Sequence, residues 1–576
     1  MSSLGGLYIG VTGLNVSQAA LNVTSHNLAN VDTKGFVRQQ AVLTDFNYIK
    51  WGESYLSSMQ QGLGANFATV KQVRDSFLDQ AYRQESGRQA FYESQTLAVD
   101  EVEGLFGEME GVSFQASINE FWTSLQELCK EPDNIVARAS LIESAVTFIE
   151  RSENMSRQLS DYQINLNTQI VNQVNRINEI GDEIRLLNLK IRQYESAGVE
   201  KANDLRDQRN LLLDELSKMA GITYKETVAG IVTINLEGVP FVTEDTVYRM
   251  NTARMNENSE MLKPVWSAHG NADVFNLDKA PTSKNNTDIG SLKGLLIARG
   301  HKQANYTDIP LRENYETDGL YRDAVMEYNN KIDPSVIMSV QAQFDQLIHG
   351  IVTTINDILC PNKEVTLSDG TKIKILDEEN APVGLNSSRT MGEALFNRKS
   401  VERYSDYTEI EIENESGGYE YITARIYQAE DPADKYTLFT LGEIEINRNV
   451  LQNNSLIPLA SNTGTGDYDI KTTERLLTAW QEPFSTLSPN TLTRNNFSDY
   501  YTSFISEIAN RGEQLSTIRD NQASMVGSIE NQRLEVTGVS SDEELTNLIK
   551  YQHAYNAAAR YVNVVSEMLE HIITSM

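Results

Sequence analysis

The side chains that could do chemistry in this chain of 576 residues are scattered rather than gathered. None of its six histidines stands in a His-Glu-x-x-His pattern, and no His/Cys group has metal-ligand spacing. No glycine-lysine loop offers a cradle for phosphates, and no Gly-x-Ser-x-Gly elbow offers an activated serine. Gly464-Thr465-Gly466-Asp467-Tyr468-Asp469 sets two carboxylates beside glycines but lacks the remaining ligands of a calcium loop. It reads as a solvated loop. With 80 acidic residues, chance carboxylate pairs are certain, so none can be singled out for glycoside hydrolysis. His553, beside Tyr551 and Gln552, reads as a surface or packing residue. Cys129 and Cys360 are too few for a disulfide framework, form no Cys-x-x-Cys pair, and read as small core residues. The expectation is therefore a non-enzyme with no cofactor, no metal and no catalytic residue.

Chemistry being absent, the elements themselves carry the information. From Met1 to Val31 there is no Asp, Glu, Lys or Arg, yet Leu4, Leu7, Val11, Leu14, Leu21 and Leu28 recur at helical steps. Leu545, Leu548, Tyr555, Ala559, Val562, Leu569 and Ile573 do the same at the other end. Each set makes an apolar seam suited to packing against another helix. These two seams are the candidate assembly site, and they imply that the chain ends meet each other or neighbouring copies. Gly6, Gly10 and Gly13 share a further face, where another backbone could come close. With Gly5 they make four glycines, each costing about 1 kcal/mol of helix propensity, so the first helix is expected to form on assembly.

The net charge of −31 argues against a nucleic-acid partner, which demands a basic patch, and equally against an anionic membrane surface. No basic, apolar leader is visible at the amino end, and no run reaches transmembrane length.

Along the chain, helical spacing predicts a first helix over 4–28, then turn chemistry at 26–36 and extended or irregular structure to about 73. Helices are expected over 75–104, 113–130 and, longest of all, 135–197, the last about 90 Å at 1.5 Å per residue. Gly198 is the expected stop, with a restart at Asn203 running through Met219. The period then changes to two, predicting a hairpin with a Glu237-Gly238 turn. Helix returns over 320–359 with Val336, Val340, Phe344, Leu347, Ile351 and Ile355 on one side, and strand alternation follows over 365–447. Helices resume after Asn496 and again at Ser541, which with Glu544 fits a capping box.

The fold class is thus mainly α with inserted β domains, long coiled-coil-like terminal helices and a helical-bundle shaft. The expected divisions are terminal helices at 1–32 with 540–576, and a shaft at 33–220 with 480–539. Between them lie a β-rich segment at 221–300, a helical segment rejoining the shaft at 301–360, and an inserted β domain at 361–479.

Leu21-Asn22-Val23-Thr24-Ser25-His26-Asn27-Leu28-Ala29-Asn30, with Thr33, Gly35 and Phe36, resembles the amino-terminal signature of bacterial flagellar rod, hook and hook-associated proteins. The tail is similar to the carboxyl end of the same family, through Gly538-Val539-Ser540-Ser541-Asp542-Glu543-Glu544-Leu545 and Tyr551-Gln552-His553-Ala554-Tyr555-Asn556-Ala557-Ala558-Ala559-Arg560. Ala202-Asn203-Asp204-Leu205-Arg206-Asp207-Gln208-Arg209 looks like a segment typical of its hook–filament junction members. Asp32 and Lys34 depart from the family's usual Asn and Pro, and Phe36 from its common Tyr.

The resemblance implies a structural, extracellular part of the flagellum, exported unfolded through the type III apparatus without a cleaved signal peptide. It implies a ring of copies on the distal end of the hook, with hook protein and a second junction protein (hook-associated protein 3) as partners. It also implies an export chaperone on the carboxyl-terminal helical region, an inner coiled coil of terminal helices and an outward-facing β insertion. The alternatives are a hook or distal-rod subunit, or an enzyme or adhesin activity in the insert, where residues 365–447 offer no nucleophile–base pair or metal cluster.

Overall fold

α1 (Ser2–Ala29) is a continuous helix despite its glycines. The computed structural model to which it belongs describes residues 2–54, 57–107, 114–196, 201–256, 259–413, 418–462 and 469–575. Side chains are described from residue 5 onward, except at 50–54, 57–59 and 61. The Leu4 side chain, Ser113, Ala197, Gly198 and the loop residues 464–468 therefore lie outside the described residues.

After a run of turns through Asn30 and Thr33, the stretch expected to be extended or irregular is regular. β1 (Gln39–Asp45), β2 (Tyr48–Ser54), β3 (Ser57–Gly62) and β4 (Ala65–Gln72) make one long antiparallel ribbon. β1 pairs with β4 from Gln39↔Gln72 to Asp45↔Ala65, and β2 with β3 from Tyr48↔Gly62 outward. The ribbon lies on α1, with Tyr8 and Phe46 rings 5.6 Å apart.

α2 (Ser76–Phe106) starts at Asp75, whose carboxylate accepts hydrogen bonds from Phe77 N and Leu78 N. α3 (Phe114–Lys130) leads by a short turn to α4 (Ile135–Glu195), capped by the Asn134 side chain. At 61 residues α4 is about 90 Å long, the spine of the molecule. Leu159, Leu166, Ile170, Val174, Ile177, Ile184 and Ile191 form its buried stripe. α5 (Asn203–Met219) turns back against both α2 and α4.

β5 (Ile222–Glu226), β6 (Val232–Leu236) and β7 (Val239–Val242) form an antiparallel sheet, with Glu237 and Gly238 at positive φ in the expected turn. Val232, Ile234 and Leu236 face the core. β8 (Met250–Arg254), β9 (Leu262–Trp266) and β10 (Ala272–Asp273) form a second small sheet beside α4. α6 (Ser291–Arg299) then packs on α2, where Gln95 Nε2 donates to Gly294 O at 2.5 Å.

α7 (Asp318–Glu327) runs into a wider turn at Tyr328–Ile332 before Pro334, and α8 (Val336–Leu359) follows. The sequence placed apolar residues on one side of α8. Instead it is buried nearly all round, Gln341, Gln343, Asp345 and Gln346 included.

β11 (Asn362–Thr366), β12 (Lys372–Leu376), β13 (Phe396–Arg398), β14 (Thr408–Glu413), β15 (Tyr419–Ala424) and β16 (Ile444–Ile446) pair as two-stranded ribbons, joined by isolated bridges such as Ile375↔Ile426 and Leu367↔Ile412. α9 (Arg448–Gln452) ends this insertion. Such ribbons cannot bury a core of their own, and here they share the core of the helices: Phe396 meets Phe121 at 6.1 Å. Polar ties secure the seat. Asp345 on α8 accepts from Tyr306 N, Thr440 Oγ1 and Leu441 N at 3.0, 2.7 and 2.7 Å. Arg138, 1% exposed, donates to the carbonyls of Pro132, Asn454 and Ile457.

α10 (Ile470–Gln481) brings Trp480 onto Trp122 with ring centroids 4.9 Å apart. α11 (Phe497–Thr537) lies antiparallel on α2, Phe504 meeting Phe106 near one end and Arg533 pairing with Asp79 near the other. α12 (Ser541–Ser575) closes the chain. Its cap differs from expectation: Ser540, not Ser541, receives the Glu543 N–H, and Glu544 turns away to pair with Arg38.

Candidate assembly interface

The two chain ends lie side by side as an antiparallel pair, and small residues let them do so. On α1, Gly6, Gly10, Ser17, Ala20, Thr24 and Asn27 are buried. A Cβ at Gly10 would stand 2.5 Å from Val562 Cγ2, one at Gly13 3.4 Å from Ala558 Cβ, and one at Gly6 3.0 Å from the Tyr561 hydroxyl. On α12 the matching stripe is Leu548, Tyr551, Tyr555, Ala558, Val562, Val565 and Leu569, half-buried or buried throughout. Those seven recur at steps of three and four, the spacing of a coiled-coil seam.

The leucine seam of α1 sits one residue further round. Leu7, Leu14, Leu21 and Leu28 each directly follow a small or polar residue of the packed face, namely Gly6, Gly13, Ala20 and Asn27. All four are half-buried, and Val11 is exposed. At the other end, Leu548, Tyr555, Val562 and Leu569 lie on the stripe facing α1, while half-buried Ala559 flanks it and Leu545 and Ile573 are exposed. A second apolar set on α12 escaped the sequence reading apart from Leu545. Leu545, Ile549, Tyr561, Val564, Met568 and Ile572 are between 45% and 58% exposed, although the Tyr561 ring reaches α1 beside Gly6 and Gly10. From Tyr561 to Ile572 they recur at steps of three and four, with Leu545 and Ile549 one turn apart near the start of the helix, but the seven-residue repeat of the inner stripe masked them.

The base of the pair is held by charge. Arg38 Nε lies 2.9 Å from Glu544, itself 2% exposed, and its other nitrogen 2.9 Å from Glu543. Arg38 N donates to Thr537 O, so the ribbon and the α11–α12 corner are joined. Asn27 donates to Gln39 O and accepts from Gln39 N, tying α1 to the same place.

Elsewhere the titratable groups act as fasteners. Burial pushes the thiols of Cys129 and Cys360 up to about 12, away from nucleophilic use. Burial alone would raise Glu430 too, but His349, Phe439 N and the Tyr306 hydroxyl hold its carboxyl down at about 2. Tyr306 stacks on His349 at 3.7 Å, so this cluster clips the insertion to α8. His553 is exposed on α12. Among the described residues no group of three His, Cys, Asp or Glu side chains is arranged to hold a metal ion, and no helix is long and apolar enough to cross a membrane.

Comparison with known families covers both ends and the middle. The family described as "Flagella basal body rod protein" matches residues 7–36, and "Flagellar basal body rod FlgEFG protein C-terminal" matches 530–575. "Flagellar hook-associated protein FlgK helical domain" matches residues 99–368. Flagellar hook-associated protein 1 of Bacillus subtilis is 24% identical over 583 residues, covering 100% of this chain and 99% of the relative. Those of Escherichia coli and Salmonella typhimurium are 23% and 25% identical, each with 98% of both chains covered. The flagellar hook junction protein FlgK from Burkholderia pseudomallei superposes with a TM-score of 0.49 at 14% identity, over 80% of this chain and 100% of that one.

Paired chain ends carrying rod-protein signatures define the class, that of the flagellar axial proteins. Within it, the middle segment and the end-to-end likeness narrow the comparison: over its whole length this chain is similar to flagellar hook-associated protein 1.

Proposed function

We propose that this chain is a structural component of the bacterial flagellum that assembles on the distal end of the hook and connects it to the filament. One observation carries the reading: the ends pack on each other through small residues and leave apolar side chains near both ends of α12 about half exposed, on a chain similar end to end to hook-associated proteins 1. A row of exposed apolar side chains on a subunit surface marks an interaction site. Neighbouring copies in a ring would cover it, the half-buried leucines of one α1 and the outer stripe of another α12 forming the lateral seams. Thus Leu4, Leu7, Val11, Leu14, Leu21, Leu28, Leu545, Leu548, Tyr555, Ala559, Val562, Leu569 and Ile573 divide between holding the pair together and joining pairs.

Hook protein and the second junction protein, hook-associated protein 3, would abut the ring from below and above. Before assembly the same apolar stripe needs shielding, which supports an export chaperone on the carboxyl-terminal helices. The uncharged, glycine-containing α1 suits passage unfolded through a type III channel to an extracellular position.

Cells lacking the protein test this by electron microscopy, with an assay for filament subunit in the medium. Complete hooks without filaments, and filament protein shed to the medium, are expected. Missing or truncated hooks would make the chain a rod or hook subunit, and normal filaments would sink the reading.

A further inference from the structure

The segment Asn203-Asp204-Leu205-Arg206-Asp207-Gln208-Arg209 opens α5, and helical spacing divides its polar side chains between two faces. One face meets the β1–β4 ribbon. Asp207 spans it: Oδ2 accepts from Val37 N at 3.2 Å and Oδ1 from Gln72 Nε2 at 2.8 Å. Asp204 Oδ1 accepts from Gln39 Nε2 at 3.2 Å, and Asn203 O accepts from Gln72 Nε2 at 3.1 Å. A turn later Leu211 lies under Gly35, which has φ +80° and where a Cβ would come 2.6 Å from Leu211 Cγ. Only glycine satisfies both the left-handed backbone and the close approach.

The opposite face grips the shaft. Arg206 brackets both oxygens of Glu195, at the end of α4, at 2.9 Å and also meets Glu226 on β5. Arg209, 1% exposed, donates to Asn188 Oδ1, Gly230 O and Glu226. About two turns of helix therefore hold the ribbon on one side and α4 with the β5–β6 hairpin on the other.

Covalent geometry makes that grip consequential. The chain passes between the terminal unit and the shaft twice, after β4 and through Gly538, Val539 and Ser540. Two crossings, with the Arg38 N–Thr537 O bond beside the second, leave rotation about the line joining them open, and the Arg38–Glu544 pair travels with α12. The α5 contacts are the third point of attachment.

We propose that residues 203–209 are the positioning element that sets the angle of the α1/α12 pair against the helical shaft: Asn203, Asp204 and Asp207 grip the ribbon, and Arg206 and Arg209 anchor the grip to α4. The angle matters for assembly only through the function proposed above, because copies can share apolar stripes in a ring only when their terminal pairs point alike.

Spin-label distance measurement on the full chain tests it, with Cys129→Ser and Cys360→Ala and labels at Glu93→Cys on α2 and Asn556→Cys on α12, both exposed sites. The parent should give one narrow distance distribution. Asp204→Ala with Asp207→Ala should broaden it at least twofold at unchanged helix content, and the same variant in cells should leave hooks bare. If that variant loses helix content, Gln39→Ala with Gln72→Ala removes the same grip from the ribbon side and is read in its place. A distribution as narrow as the parent's, or a parent already as broad as the variant, overturns the proposal. A broadened distribution with filaments still attached upholds the joint and counts instead against the assembly role.

Discussion

Asp207 is the most heavily perturbed carboxylate of that joint. Burial pushes it up to about 7 from its ordinary 3.8, although Val37 N, Arg74 and Gln72 favour the charged form; Asp204 beside it adds repulsion. Arg74 is 3.7 Å away and already committed to Asp79 at 2.9 Å. The folded chain thus holds this proton more tightly than the unfolded one. The sign follows from linkage: the contribution is fully present below 3.8 and is lost as pH rises through about 7. Glu195 behaves oppositely. Burial would raise it, but Arg206, Ala202 N and Lys201 bring it down to about 2, so its contribution is present above 4.5 and lost as pH falls through about 2. Thermal unfolding of the parent and Asp207→Asn at pH 5 and 7.5 checks the first case. The parent's midpoint should fall relative to the variant's as pH rises, and an unchanged difference would place the titration elsewhere.

Helix α1 shows how position, not residue type, decides the effect of a glycine. In a helix interior Gly→Ala normally gains about 1 kcal/mol of propensity. Gly13→Ala should realise part of that gain, because its Cβ would meet Ala558 at ordinary contact distance. Gly10→Ala should not: its Cβ would stand 2.5 Å from Val562 Cγ2, and overpacking costs about 1–3 kcal/mol. Helix content and thermal midpoint of the two variants should move in opposite directions. Loss in both would mean that α1 and α12 pack more tightly than the small-residue face allows. Gly10→Val, larger still, should abolish filament attachment, and adding Val562→Ala should partly restore it.

Taken whole, the molecule has one large core, built from α2 to α11 and the insertion, that among the described residues includes none of α1 or α12. The terminal pair is an appendage joined by the ribbon, the Arg38 pairs and α5. Removing residues 545–576 should therefore leave the shaft folded, with a cooperative thermal transition close to the parent's, while abolishing ring assembly and chaperone capture. Filament growth on the truncated chain would refute the assembly role of α12. Collapse of the transition would show instead that the terminal pair supports the core.

Local spacing alone determined where most helices start and stop, since caps such as Asn134 and apolar stripes such as Leu159 to Ile191 act within a few residues of chain. It also carried the resemblance to flagellar axial proteins, because the end signatures and the 203–209 segment are contiguous. The glycine face of α1 was legible too, but its precedence over the leucines was not. Both recur every seven residues, and only the presence of α12 decides which is packed. Glu544 reads locally as half of a capping box, yet Arg38 captures it from the far end of the chain. The insertion alternates like an independent sheet, but its ribbons are too small to exclude water and so complete the core around α8. Asp204 and Asp207 look like ordinary first-turn acids that favour a helix start. Their grip on the ribbon arises only once residues more than a hundred positions away are folded against them, and no spacing within the segment records that.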